Sequence, residues 1–113
     1  TQWSSSAASD VYKRQAFTVP TGKAHWEILL RARAIENGAF VIAPAQTGTH
    51  NFSNGGHRKT YGHSMAVDPW GTVLVNATSS VNSLSYFSCD LSKVAAVRSK
   101  LPSLTHDCKY SYE

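Results

Sequence analysis

The stretch AHWEILLRARAIENGAF, residues 24–40, decides the fold, because it reads as a helix followed at once by a strand. With 100° between successive residues, the helix carries two separate apolar faces. One face comprises Ala24, Ile28, Leu29, Ala32 and Ile35, and the other comprises Trp26, Leu30 and Ala34. A helix that is apolar on two sides is packed on two sides, so we expect it between a sheet and another layer, or in a subunit interface.

The predicted helix spans residues 23–37 or so. Thr21 is a suitable N-cap, and Gly38 is a natural left-handed stop. The continuous apolar run AFVIAPA, residues 39–45, is typical of a strand buried on both faces. Gly and Asn content predicts a loop over residues 48–59.

Further elements follow along the chain. Residues 61–67 and 72–77 predict a hairpin, because the intervening Asp68-Pro69-Trp70-Gly71 fits a type I turn. Residues 84–90 predict a last strand, and Ser92 is placed to cap a helix that ends near residue 100, before Pro102. Helix, strand, hairpin, strand and helix in this order indicate part of an α/β layered fold.

Composition restricts the function classes. The 113 residues allow one domain, and the net charge of +4 comes from scattered basic residues rather than from the patch that nucleic-acid binders concentrate. No apolar run approaches the roughly 20 residues that span a bilayer. Cys89 and Cys108 form no C-x-x-C pair; reduced thiols in an intracellular protein are favoured, with a disulfide left open.

Residues 1–15 differ from the rest of the chain in being rich in Ser and Ala, without helical or strand periodicity. Within them, SDVYKRQ resembles the translation of a sequencing-library adaptor end. We therefore expect a cloning or assembly scar, with a genuine disordered terminus as the alternative. Residues 16–102 then form the domain, and residues 103–113 a divergent tail.

Two motifs in order, TGKAHWEILLRARAIENGAFVIAPAQTGTHN (residues 21–51) and RKTYGHSMAVDPWGTVLV (residues 58–75), resemble the carbon–nitrogen hydrolase (nitrilase) superfamily. The chain looks most like the branch of deaminated glutathione amidases, with the ω-amidases as near relatives. The resemblance implies the C-terminal portion of a four-layer αββα sandwich, incomplete in this chain. It also implies a small linear amide as substrate, a homodimer, and no cofactor, metal, nucleic-acid or membrane partner.

The family's chemistry uses a Glu–Lys–Cys triad, in which the cysteine forms a thioester, the glutamate acts as general base and the lysine stabilises the oxyanion. By resemblance, all three residues lie upstream of the segment that Ala16 opens, and neither Cys89 nor Cys108 has the nucleophile's context. We therefore expect no catalytic residue here and an inert fragment. A cytoplasmic location is expected, with mitochondria as the alternative.

Four residues are candidates for substrate binding. By resemblance, Phe17 and Thr21 belong to the wall of the acyl pocket, although Phe17 also suits a core and Thr21 a helix cap. Glu27 either pairs with Arg31 four residues later or supports the site from the helix N-terminus. His25 is either a site residue or a structural imidazole.

Other polar groups suggest less. Arg33 and Glu36 are expected to pair within an interface. His63 and Ser64, adjacent on a predicted strand, would face opposite ways and could not act as a base and a nucleophile. The spacing of His50, His57 and His63 is not that of metal ligands. Besides the amidase fragment, two hypotheses stay open: a non-catalytic dimerisation remnant of the same fold, and a small basic nucleic-acid-binding protein.

Overall fold

A computed structural model describes residues 10–12, 17–78, 83–109 and 111. Four strands form one mixed sheet in the order β1-β2-β5-β6, and two others form a separate hairpin. The elements in chain order are β1 (Asp10–Tyr12), α1 (Val19–Thr21), a π-helical turn (Gly22–Trp26), α2 (Glu27–Asn37), β2 (Phe40–Ala43), β3 (Thr47–Asn51), β4 (His57–Tyr61), β5 (Met65–Val67), β6 (Val73–Asn76), α3 (Ser92–Lys100) and a 3₁₀ turn (Ser103–Thr105).

The first helical segment starts earlier than predicted and ends where predicted. It begins at Val19, because Pro20 is tolerated in a first turn, whose N–H groups lack intrahelical partners. Thr21 therefore lies inside the helical segment, and its predicted role as N-cap is wrong. Gly38 adopts the left-handed conformation, with φ 53° and ψ 48°, which confirms the predicted stop.

The core lies between this helical segment and one face of the sheet. Trp26, Leu30 and Ala34 are buried there against the sheet residues Val41, Ala43, Met65 and Val67. The second apolar face is not covered by the described residues: Ile28 is 69% exposed, Leu29 45% and Ile35 42%. Within this chain, the predicted two-sided helix is packed on one side.

The strand predicted at residues 39–45 is confirmed as β2, a central strand that pairs with β1 and β5. The loop predicted over residues 48–59 is wrong, because β3 and β4 pair there from Thr47↔Tyr61 to Asn51↔His57. These strands are polar and mostly exposed, so backbone hydrogen bonds form them without an apolar signal in the sequence. The predicted strand at 61–67 is interrupted, since Gly62 and His63 have positive φ angles.

The turn at residues 68–71 is confirmed. The Gly71 N–H donates to the Asp68 carbonyl at 2.9 Å, and β5 pairs with β6 on either side of the turn. The buried Asp68 carboxylate also accepts the N–H groups of Trp70 and Thr72, each at 2.9 Å. This side chain satisfies the turn's backbone donors where water is excluded.

The strand predicted at residues 84–90 is absent from the structure. Residues 83–90 are exposed and lack strand pairing, and Leu84 and Tyr86 are 84% and 86% exposed. Their alternation predicted a strand, but none of the described strands pairs with them. The helix that follows is confirmed, although Asp90 rather than Ser92 caps it, because the Asp90 carboxylate accepts the Ser92 N–H at 3.0 Å and its hydroxyl at 2.7 Å.

Residues 10–12 are a further difference from the sequence analysis, which expected no strand before residue 16. They form β1, which runs parallel to β2 in the register Asp10↔Phe40 to Tyr12↔Ile42. Three residues are too few to show a period. Among the described residues, no helix has the length and apolar character needed to cross a bilayer.

Candidate functional site

The predicted pocket wall lies where the chain enters the first helical segment. Phe17 is half-buried and packs against Trp26, with ring centroids 5.2 Å apart and the planes tilted by 56°. Its carbonyl accepts the Tyr61 N–H at 2.8 Å, so the main chain at Phe17 is tied to the end of β4. Phe17 therefore contributes to the core, whereas its role toward a substrate stays a prediction.

Thr21 is exposed one turn further along. Its hydroxyl lies 2.7 Å from the Thr18 hydroxyl and donates to the Thr18 carbonyl at 3.2 Å. A hydroxyl held in this way keeps acceptor lone pairs for a ligand.

His25 and Glu27 flank the buried Trp26 and are themselves exposed. Glu27 forms the predicted ion pair with Arg31, at 3.7 Å, with about half of each side chain exposed. The Nε of Arg31 also donates to the Gly71 carbonyl at 2.8 Å, which joins the helix to the turn at residues 68–71. No hydrogen bond or ion pair among the described residues joins any two of Phe17, Thr21, His25 and Glu27.

The helix start meets β4 at very short range through Gly22. A Cβ atom built on Gly22 would lie 2.2 Å from Cγ of Tyr61, so only glycine lets the helix approach this ring. The indole Nε1 of Trp26 donates to the His63 carbonyl at 2.7 Å. Sequence reasoning missed Tyr61 and His63 as neighbours of the predicted wall, and Gly22 was the one signal that pointed to a close approach.

Residues on the sheet face opposite the helix line a groove of about 350 Å³. Its apolar lining includes Ile42, Ala66 and Val75, which are register partners across β2, β5 and β6. His63 and Ser64 line it as well. They make separate contacts: the His63 Nδ1 donates to the Tyr61 carbonyl at 2.8 Å, and the Ser64 hydroxyl accepts the Ala45 N–H at 2.9 Å.

The two thiols are exposed and free, and neither makes a hydrogen bond to a described residue. An activated thiolate needs a cationic or basic neighbour, and neither Cys89 nor Cys108 has one within hydrogen-bond reach in the described ranges. His50, predicted not to be a metal ligand, bonds the Thr60 hydroxyl at 3.0 Å. The residues that the structure describes contain no cluster of three His, Cys, Asp or Glu side chains that could hold a metal ion.

The structure thus brings together the two motifs, at residues 21–51 and 58–75. Trp26, Gly22 and Arg31 of the first motif contact His63, Tyr61 and Gly71 of the second. A family model described as carbon-nitrogen hydrolase matches residues 6–99. The chain belongs to the carbon–nitrogen hydrolase family. This match starts within residues 1–15. The expected origin of those residues as a cloning or assembly scar stays a prediction.

Similar proteins place the chain within the nitrilase superfamily. A probable hydrolase, nit2, from Schizosaccharomyces pombe is 50% identical over 97 residues, which are 84% of this chain and 34% of that protein. The deaminated glutathione amidase of Synechocystis sp. is 47% identical over 91 residues, 80% of this chain and 32% of that protein. The crystal structure of the Caenorhabditis elegans NitFhit protein superposes with a TM-score of 0.75 at 46% identity, over 88% of this chain and 23% of that one.

The carbon–nitrogen hydrolase chain therefore has the mixed α/β fold of its nitrilase relatives, as predicted. It spans about a third or less of the length of the relatives it matches.

Proposed function

We propose that this chain is the C-terminal part of a hydrolase that cleaves the C–N bond of small linear amides, as the deaminated glutathione amidases named among its relatives do. The observation that carries the proposal is the 47% identity to the Synechocystis amidase. The packing of α2 against the β5–β6 hairpin supports the proposal as well. These elements lie within the two motifs by which the chain resembles the family.

The reaction follows covalent catalysis by a thiolate. A cysteine from an upstream segment attacks the amide carbon, and a lysine stabilises the tetrahedral oxyanion. A glutamate takes the proton of the thiol and passes it to the leaving nitrogen, so that the C–N bond breaks, ammonia departs and a thioester remains. Water, activated by the same carboxylate, then hydrolyses the thioester and releases the acid and the thiol. All three catalytic groups lie outside this chain.

This chain contributes the pocket wall. Phe17 presents an aromatic ring that Trp26 supports from behind, and it suits the apolar carbons of an acyl group. The exposed Thr21 hydroxyl keeps lone pairs that can accept a hydrogen bond from an amide or carboxylic acid. His25, in the π-helical turn, and Glu27, the first residue of α2, are exposed and in this proposal support a neighbouring loop of the whole hydrolase.

The isolated chain is inert in this proposal, because neither thiol is hydrogen-bonded to a base or a lysine among the described residues. The chain should release no ammonia from small linear amides such as deaminated glutathione. Turnover that Cys89→Ala or Cys108→Ala abolishes would contradict the assignment. DNA upstream of codon 16 should encode a glutamate, a lysine and a cysteine, and a native upstream sequence without them would overturn it. The cytoplasm, with mitochondria as the alternative, stays the expected compartment.

A non-catalytic role in dimerisation is the second candidate, and the exposed helix face favours it. Ile28, Leu29 and Ile35 leave an apolar surface on α2. Arg33 and Glu36 lie 3.7 Å apart on the same helix, with more than half of each side chain exposed. Isolated apolar residues are common on surfaces, but a contiguous set marks an interface. In the whole hydrolase the same face would join two copies, so that dimerisation and catalysis are compatible.

A further inference from the structure

A closed ring of contacts holds the predicted pocket wall against the end of β4. It runs from the Phe17 ring to the Trp26 ring, from the Trp26 indole N–H to the His63 carbonyl, and from the Tyr61 N–H back to the Phe17 carbonyl. Tyr61 and His63 close it, since their rings stack with centroids 4.0 Å apart and planes 14° apart. His63 enters this ring through both its main chain and its side chain.

The main chain of His63 is held in an uncommon conformation. Its φ of 61° is the only positive φ of a non-glycine residue in the described parts of the chain. Such a backbone persists only where surrounding contacts over-determine it. Here it turns the His63 carbonyl toward the Trp26 indole, and the resulting hydrogen bond of 2.7 Å is short for an N–H···O contact.

The imidazole supplies the contacts that fix this conformation. A carbonyl only accepts, so Nδ1 carries the proton that it donates to the Tyr61 carbonyl at 2.8 Å. The ring also stacks on Tyr61, whose other contacts include the Phe17 carbonyl and the close approach to Gly22. The two side-chain contacts of His63 therefore act on the same residue that anchors Phe17.

We propose that His63 is a positioning residue whose imidazole, through Tyr61, fixes the position of Phe17 in the pocket wall and of the buried Trp26 that packs against it. This inference rests on the proposed function for calling that surface a pocket wall. The positioning itself is a property of this chain and can be measured without any substrate.

The test is hydrogen exchange of the Trp26 indole N–H, followed by NMR in the full 113-residue chain. His63→Asn keeps a residue that tolerates positive φ but removes the stacked ring. His63→Gly also removes the ring, but glycine adopts a positive φ without strain. A change seen in this variant therefore cannot be attributed to backbone strain. His57→Asn is the matched control, because His57 is exposed at the start of β4, the strand that ends two residues before His63. The Trp70 indole, on a side chain that is 56% exposed, serves as the internal reference.

We expect both His63 variants to speed exchange at the Trp26 indole about fivefold, as loss of one aromatic pair allows, with the amides of β2 unchanged. The Phe17 ring resonances should shift in both variants and stay in place in His57→Asn. Unchanged Trp26 exchange in His63→Gly would overturn the proposal. Equal acceleration at Trp26 and throughout β2 would also overturn it, because the ring would then stabilise the whole fold rather than position one wall. Neither result depends on whether the whole hydrolase cleaves amides.

Discussion

The two apolar faces of α2 are alike in sequence and opposite in environment. Leu30 is 1% exposed and lies in the core, whereas the adjacent Leu29 is 45% exposed. Periodicity detects that a face is apolar, but it carries no information about which neighbour covers it. The inner face of α2 stabilises the fold, whereas the outer face is available for contact with another molecule. Variants on each face test this difference.

The largest effect should come from the matched leucines. Leu30→Ala removes a side chain that packs against the sheet, and a cost of about 2–5 kcal/mol in the free energy of unfolding is typical of such cavities. Leu29→Ala makes the same chemical change on the open face and should cost less than about 1 kcal/mol. Urea unfolding followed by circular dichroism measures both. Equal costs would mean that the outer face is covered within this chain.

Gly22→Ala tests how closely the inner side is packed. Alanine should gain about 1 kcal/mol in helix propensity, but its Cβ would lie 2.2 Å from Cγ of Tyr61. Tyr61 is tied through its backbone to Phe17, so the ring has little room to move, and we expect a net loss of about 1–3 kcal/mol. Thermal unfolding measures it, with Lys23→Ala at the exposed neighbouring position as the control. A variant more stable than the wild type would show that the Tyr61 ring moves aside without a loss in the free energy of unfolding.

Leu29→Glu tests the outer face as a contact between copies. Burying one leucine in an interface contributes about 1.5–3 kcal/mol, so the substitution should weaken self-association about tenfold or more. Sedimentation velocity over a concentration series measures this. Lys23→Gln, at an exposed position in the π-helical turn, lowers the net charge by the same one unit and is the control for charge. Identical sedimentation of Leu29→Glu and the wild type would remove this face as a dimer surface.

The smallest effect concerns the cap of α3, a helix that reaches α2 through the bond from Arg98 to the Asn37 carbonyl. Two hydrogen bonds hold the pKa of Asp90 below its ordinary value of 3.8. The bond from the Ser92 hydroxyl has the larger effect, and the bond from the Ser92 N–H the smaller. A depressed pKa means that the cap stabilises the helix above pH 3.8 and loses this effect as the pH falls through the lowered value. The Ser92 amide shift should titrate there in the wild type and stay flat in Asp90→Asn; a midpoint at or above 3.8 would contradict the cap.

The elements that the sequence predicted correctly are those whose signal is local. Gly38 stops the helix by its left-handed backbone, the run at residues 39–45 contains the buried strand β2, and Asp68 to Gly71 form a turn. The polar hairpin β3–β4 was missed, because backbone pairing rather than burial holds it. The strand expected at residues 84–90 needed a pairing partner, and none of the described strands pairs with it.

In the candidate site, too, the sequence predicted only features that a local pattern or a family resemblance indicates. Phe17 and Thr21 could be selected by resemblance, and the Glu27–Arg31 pair by its spacing of four residues. Tyr61 and His63 could not be, because they reach Phe17 and Trp26 across about 40 residues of chain through main-chain groups that any residue type carries. Only the folded geometry shows that the end of β4 contacts Phe17, a residue of the predicted pocket wall.

The most direct measurement of the central claim is ammonia release by a chimera in which residues 17–102 replace the matching third of the Synechocystis deaminated glutathione amidase. If this chain carries the pocket wall of such an enzyme, the chimera should hydrolyse deaminated glutathione, and Phe17→Ala should raise KM or lower kcat, whereas Lys23→Ala should change neither. A folded chimera that binds no amide substrate, or one that is indifferent to Phe17→Ala, would contradict the account.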